Sequence, residues 1–556
     1  MEFDAVLLAP RKERMLKQGL WHNKTILQSL EDAVAISPHK EALVSFRTET
    51  KQQITFSYQQ ILDTSNKIAL GLKNLGIKKN DVVSCQLPNW WEFTLLYIAC
   101  CRIGAVLNPL MPIFRERELE FMLQHAESKV FVVPKKYRNF DHEELANKLK
   151  AKISTLEHVI VVDGLEDNNF DQTLVNHGFE KDQIKLQALI NHQTSPDDIT
   201  QVIFTSGTTG EPKGVMHTAN TLYANIIPYA ERLHLSDQDV ILMASPMAHQ
   251  TGFMYGLIMP IELKAKVVLQ DVWEVSQAIE LIHQHQVSFT MASTPFLNDL
   301  ANTVAEQHGQ VESLKIFLCA GAPIPSPLVQ KAREILGVKV ISAWGMTECG
   351  AVTLTKPEDD DERSFNTDGI DLVGVETKIV DKLGNEKPVN EAGRLIIRTC
   401  SNFGGYLKRP HLNDTDAEDW FDTGDIAYKD EQGYIRISGR KKDVIIRGGE
   451  NIPVAEIESL LYKHPDIAIV ALVAYPDERM GEKACAIIKL KEHAQSLQLS
   501  DLVDFLKTHQ VTNQYLPERL EVWDEIPMTP SGKIQKFKLR EIIAAQTKTL
   551  EQESSV

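Results

Sequence analysis

Through most of the chain, short apolar runs alternate with stretches whose apolar residues recur every three to four positions. The runs at 42–46, 81–87, 130–133 and 158–163 predict buried strands. After the first of them, Ile61, Leu62, Ile68, Ala69, Leu72 and Leu75 line one face of a predicted helix closed by Gly76, and further helices are predicted at 90–103 and 116–125. The rhythm resumes with strands at 199–204, 240–244, 266–269, 287–291, 315–319 and 338–343 and helices at 275–285 and 326–336. Such alternation predicts an α/β fold of sheets covered by helices. Ligands of open α/β sheets gather beyond the carboxyl ends of strands, so the loops after Phe204, Ala244, Cys319 and Ala343 are expected to meet at one crevice.

From about 374 the texture changes to short strands with turns, at 377–381, 393–399 and 434–438, which predicts a β-rich subdomain. A helix at 454–463, strands at 467–475 and 484–490 and a helix at 499–509 then predict a small αβ domain. The expected division is residues 1–440 and 441–556. The acidic run 357–362 reads as a solvated loop, and there is neither a repeat nor a long flexible linker.

Composition narrows the picture. A chain of 556 residues is too long for one core. A net charge of -17 without a basic tract argues against nucleic acid as a partner. The most apolar longer stretch, 93–113, is interrupted by Arg102 and Asn108 and reads as a buried helix followed by a strand, so no transmembrane segment is expected. The N-terminus carries an acid where a signal peptide needs a base. Seven scattered cysteines without a Cys-x-x-Cys pair indicate neither a disulfide framework nor a zinc site, as expected of a cytoplasmic protein. Oligomeric state is left open, with a homodimer among the arrangements allowed.

The candidate chemistry begins after strand 199–204. Thr205, Ser206, Thr208 and Thr209 offer hydroxyls, Gly207, Gly210 and Gly214 let the backbone approach a ligand, and Lys213 adds a compact positive charge. The loop suits a polyphosphate, although an isolated stretch of this composition equally suits a surface turn. It is not a Walker loop, because Gly214 follows Lys213 where Ser or Thr is needed; nor is it a serine nucleophile elbow, because Phe204 stands where the first glycine should be. Further on, Trp344, Gly345, Thr347 and Glu348 follow an apolar strand. An indole can stack on a purine, a hydroxyl can donate to a phosphate oxygen and a carboxylate can hold Mg²⁺; a strand end with a buried Trp is the plainer alternative. His283 and His285, two apart on a helix, face different ways and make no metal pair.

Taken in order, these stretches resemble the adenylate-forming superfamily, and most of all its bacterial ligases for medium-chain and alicyclic acids. The motifs run from 199 to 536: the loop 204–214, the segment Gly321, Ala322 and Pro323, Trp344 to Glu348 (with Trp where Tyr is more usual), Asp425 in a Thr-Gly-Asp motif, the 433–443 segment, the 448–458 segment and Lys533 after Ser-Gly. The resemblance implies a large adenylation domain and a small mobile C-terminal domain. It implies that Gly321, Ala322 and Pro323 lie along adenine, that Asp425 takes the ribose hydroxyls and that Arg440 contacts the nucleotide. By the same resemblance Lys442 is the hinge, Gly448 and Gly449 border a pantetheine channel, and Lys533 bridges the acid carboxylate and the α-phosphate. The acyl pocket is expected near His249 and Phe253 and near 292–300; Met247, Met254 and Tyr255 make it apolar.

The implied activity is ligation of a hydrophobic monocarboxylic acid to coenzyme A with ATP and Mg²⁺. A stand-alone enzyme loading a separate carrier protein, an aryl-CoA ligase and a regulatory protein with a dead site are the alternatives. With about two dozen residues after Lys533, no fused carrier domain is expected. Lys533 also resembles a lysine subject to acylation.

Overall fold

The computed structural model describes residues 1–554 apart from 166, 193, 206–211, 308, 310, 322–323, 441–442, 444, 448–449, 478–479, 495, 510 and 530–532. Among the described residues, nine strands form one mixed sheet in the order 370–371, 350–354, 339–346, 316–320, 289–292, 240–243, 266–270, 41–47, 52–57. A second sheet of six runs 213–218, 199–205, 106–109, 82–85, 128–134, 158–162. The centre of each is parallel, and its strands are buried on both faces, which is why they read as unbroken apolar runs.

The helices between the strands are those the 3.6 period predicts. Tyr58–Asn74 starts on a Ser57/Gln60 capping box, and Val275–His285 starts on Glu274, whose carboxylate accepts from the backbone of Ser276 and Gln277. Trp91–Ile103 is buried on every side between the sheets and ends at Gly104 in the left-handed region. The most apolar stretch is therefore a core helix followed by strand Val106–Pro109.

Two expectations need correction. The predicted helix at 326–336 is a helix over Ser326–Lys331 that widens into a π-turn over Ala332–Leu336. The acidic run is not simply solvated, because Lys339, Arg333 and Tyr434 come near it in space though not in sequence. Asp360 caps helix Asp361–Asn366, Asp361 pairs with Lys339 at 3.2 Å and with Arg333, and Asp359 accepts from the Tyr434 hydroxyl at 2.8 Å.

Beyond the large sheets lies an antiparallel sheet of strands 375–380, 393–399, 421–429 and 435–440. After Arg440 the chain enters a further five-stranded sheet, beginning at Ile445–Arg447, with its own apolar core around Ile457, Leu472, Ile488 and Leu502. Helix Lys536–Ser554 packs on strand Ile467–Asp477 of that sheet.

Candidate active site

The candidate site is assembled from three loops. Strands Ile199–Thr205 and Lys213–Thr218 form an antiparallel hairpin whose tip is the glycine- and hydroxyl-rich loop; at its base Thr205 lies opposite Lys213 and its hydroxyl donates to the Lys213 carbonyl at 3.4 Å. Ser206, Gly207, Thr208, Thr209 and Gly210 lie outside the described residues.

The second loop joins strands Lys339–Met346 and Gly350–Leu354. The hairpin closes only because residue 345 is glycine: a Cβ there would sit 2.1 Å from the Gly350 carbonyl oxygen. Thr347 and Glu348 occupy its turn. His217 Nε2 donates to the Thr347 carbonyl at 2.9 Å, and the Phe403 amide donates to the Glu348 carbonyl at 2.8 Å, so the turn is tied to both neighbouring segments. Burial pushes the His217 imidazole down to about 4, and the Arg11 charge pushes the same way against the Thr347 hydrogen bond.

The third segment, 402–407, runs along strand Lys213–Thr218: the Gly404 amide donates to the Met216 carbonyl and the Leu407 amide to the Gly214 carbonyl, each at 2.8 Å. It carries Tyr406, whose hydroxyl donates to Glu348 Oε1 at 2.6 Å. The Lys213 ammonium lies 3.9 Å from the centroid of the same ring. Phosphate-loop cation and candidate metal carboxylate thus meet on one tyrosine.

Beside them, Trp344 Nε1 donates to Asp425 Oδ2 at 2.9 Å. Asp425 is buried and stands opposite Arg440 in the strand ladder; the Arg440 side chain is outside the description. Trp344 is 8% exposed, and the N–H edge of its indole holds the carboxylate. Trp in place of Tyr supplies an N–H at that edge.

Lys533 closes the arrangement. Its turn is held by the Thr529 hydroxyl, which accepts from the Lys533 amide at 3.0 Å, and its side chain crosses Gly321, where a Cβ would meet Lys533 Cε at 2.5 Å. Gly321 has φ +90, so the backbone conformation also favours glycine. The Lys533 charge reaches His249, whose pKa falls to about 4 through burial first and through that charge second. His249 caps the short helix Gln250–Phe253, with Nδ1 accepting from the Thr251 amide at 3.3 Å. The imidazole beside Lys533 is therefore neutral near pH 7.

A family model described as an AMP-binding enzyme matches residues 30–407, and a second, the AMP-binding enzyme C-terminal domain, matches residues 456–533. The chain is an AMP-binding enzyme. It is 35% identical over 535 residues to a medium-chain fatty-acid–CoA ligase of Escherichia coli (strain K12), covering 96% of this chain and 93% of that one. It is also 29% identical to a salicylyl-CoA synthase/salicylate adenylyltransferase of a Streptomyces species, covering 97% of each. Among solved structures, the anthranilate CoA ligase AuaEII in complex with anthranoyl-AMP superposes with a TM-score of 0.83 at 22% identity, over 94% of this chain and 98% of that one. This last likeness speaks for the fold.

In this AMP-binding enzyme the structure brings Lys213, Trp344, Thr347, Glu348 and Asp425 to one end of the sheets, and Lys533 onto Gly321 and toward His249. Ala322, Pro323, Lys442, Gly448 and Gly449 lie outside the described residues. Phe253 is fully buried, with ring centroids 4.7 Å from Tyr97 and 6.2 Å from Phe93, in the same buried segment as Met254 and Tyr255. Tyr406 and His217 escape a reading of the sequence, because a tyrosine after two glycines and a histidine inside an apolar strand carry no local signal. Only the long-range pairing of 402–407 with the hairpin exposes them.

Proposed function

We propose that this AMP-binding enzyme is an ATP-dependent acid–CoA ligase that activates a hydrophobic monocarboxylic acid as acyl-AMP and passes the acyl group to coenzyme A. What supports the reading is Lys533 laid across Gly321 with its charge reaching the buried His249, together with the cluster that joins Lys213 and Glu348 on Tyr406 and Trp344 to Asp425. A carboxylate oxygen of the acid attacks the α-phosphorus of ATP, the bond to the bridging oxygen breaks and pyrophosphate leaves. The thiol sulfur of coenzyme A then attacks the acyl carbon, AMP leaves and the thiol proton passes to solvent.

Each residue has a part in this. Lys533 stabilises charge between the acid and the α-phosphate, and a neutral His249 avoids a second cation there that would compete for the carboxylate. Lys213 and the hydroxyls of the loop hold the β- and γ-phosphates, Thr347 donates to a phosphate oxygen, and Asp425, steadied by Trp344, accepts from the ribose. Gly321, with Ala322 and Pro323, borders the adenine, and Arg440 contacts the nucleotide. Glu348 is a buried hard-oxygen donor already oriented by Tyr406, which fits Mg²⁺, and Thr347 stands beside it. Bound there, Mg²⁺ would neutralise charge on the polyphosphate.

We further propose that the unit after Arg440 turns about Lys442 between the half-reactions, withdrawing Lys533 and presenting Gly448 and Gly449 to the pantetheine arm. For the acid, the buried Met247, Met254 and Tyr255 support a hydrophobic chain or ring, and the E. coli relative's name supports a medium-chain acid. All seven cysteines are free and buried, which suits a cytoplasmic setting, and no helix among the described residues is long and apolar enough to cross a membrane.

The test is release of AMP and pyrophosphate with ATP, Mg²⁺, CoA and linear, alicyclic and aromatic monocarboxylic acids, with the thioester followed by mass. Acid-dependent AMP with a matching thioester is expected, greatest for medium-chain or alicyclic acids. Adenylate without thioester would move the protein to carrier loading, and ATP binding without turnover would contradict the ligase reading.

A further inference from the structure

We infer that Tyr406 is a positioning residue that couples the phosphate-loop lysine to the metal carboxylate, its ring face seating Lys213 while its hydroxyl aims Glu348. The inference rests on the proposed reading of Glu348 and Lys213 and adds a residue to it.

Three observations carry it. Tyr406 is buried, with 2% of its surface exposed, so its hydroxyl needs a partner inside the protein and finds Glu348 Oε1 at 2.6 Å. Glu348 is itself buried, so a donated hydrogen bond fixes which way one carboxylate oxygen points and leaves the other to address a ligand. The Lys213 ammonium, 3.9 Å from the ring centroid, is attracted by the electron-rich face. The backbone enforces the geometry: Val215 and Tyr406 form a β-bridge, and the amides of Gly404 and Leu407 donate to the two sides of the same strand segment. The tyrosine therefore keeps its place relative to the hairpin that carries Lys213 and to the turn that carries Glu348. Such an arrangement sets the spacing between the cation that would meet one end of a polyphosphate and the carboxylate that would hold a metal beside it.

The two contacts of Tyr406 can be separated. Y406F keeps the ring and removes the hydroxyl; K213M removes the ammonium and leaves the bond to Glu348. The measurements are Mn²⁺ binding followed by electron paramagnetic resonance in the presence of α,β-methylene-ATP, and binding of the same nucleotide without metal by calorimetry. The wild-type protein comes first: if it takes up no nucleotide-dependent Mn²⁺, the functional reading of Glu348 fails. Given that uptake, Y406F is expected to bind Mn²⁺ about tenfold more weakly, with metal-free nucleotide affinity unchanged. K213M is expected to do the reverse. In an E348Q background, Y406F should add no further loss, because it acts through that carboxylate. Wild-type Mn²⁺ affinity in Y406F, equal loss of Mn²⁺ binding in Y406F and K213M, or an undiminished Y406F effect in the E348Q background would each overturn the inference.

Discussion

The two corners of the candidate site are built in opposite ways. Glu348 sits in a turn held by His217 from one stretch of the chain and by Phe403 and Tyr406 from another, which converge on Thr347 and Glu348. Lys533 sits on a turn braced from within its own segment, by Thr529 and by the bridge between Met528 and Ile534, and it meets the large sheets through a glycine. The first corner cannot shift without breaking buried hydrogen bonds. The second rests against a residue without a side chain, as the proposed withdrawal of Lys533 requires. The contrast teaches which parts of the chemistry the two corners suit: a rigid cradle for a charged nucleotide, and a removable cation for the step that consumes it.

Substitution at the rigid corner should disturb nucleotide handling itself. E348A is expected to lower acid-dependent pyrophosphate release by on the order of 10²–10³ and to weaken metal–nucleotide binding measured without acid. If nucleotide binding stayed intact while release fell, Glu348 would belong with Lys533 and the contrast would collapse. D425A should raise the KM for ATP by roughly 10- to 100-fold, the loss of hydrogen bonds to a charged acceptor, with kcat changed less. W344F keeps an aromatic wall but deprives Asp425 of its donor. Its KM for ATP should rise by roughly tenfold, and a variant indistinguishable from wild type would show that the carboxylate needs no such steadying.

The smallest effect is on stability. Burial holds His142 and His217 at about 4 in the folded protein, below the ordinary value near 6.5, so the unfolded chain binds more protons over that interval. Stability should fall as pH drops from about 6.5 toward 4, by roughly 1–2 kcal/mol per histidine at pH 5. Urea titrations at pH 7.5 and pH 5 measure the total. H217N, which keeps a side-chain donor for the Thr347 carbonyl, should reduce the pH dependence; an unaltered dependence would show that His217 does not contribute to it.

The parts of the fold legible in the sequence are those governed by a local period. Strand 316–320, parallel on both sides and buried, could only be an apolar run, and helix Tyr58–Asn74 shows its stripe and its cap within its own residues. The π-turn at 332–336 has no such local signature. The site divides the same way. Lys213, Trp344, Glu348, Asp425 and Lys533 sit in stretches whose composition announces chemistry. Tyr406 acquires its meaning only where residues 402–407 run beside a strand nearly two hundred positions earlier.

The most direct test of the division of labour runs the two half-reactions separately on K533A. With free acid and ATP, pyrophosphate release should fall by on the order of 10²–10³ while binding of ATP is kept. With synthetic acyl-adenylate and CoA, thioester formation should match wild type. Equal loss in both halves, or loss in neither, would contradict an account in which Lys533 serves the first reaction and withdraws for the second.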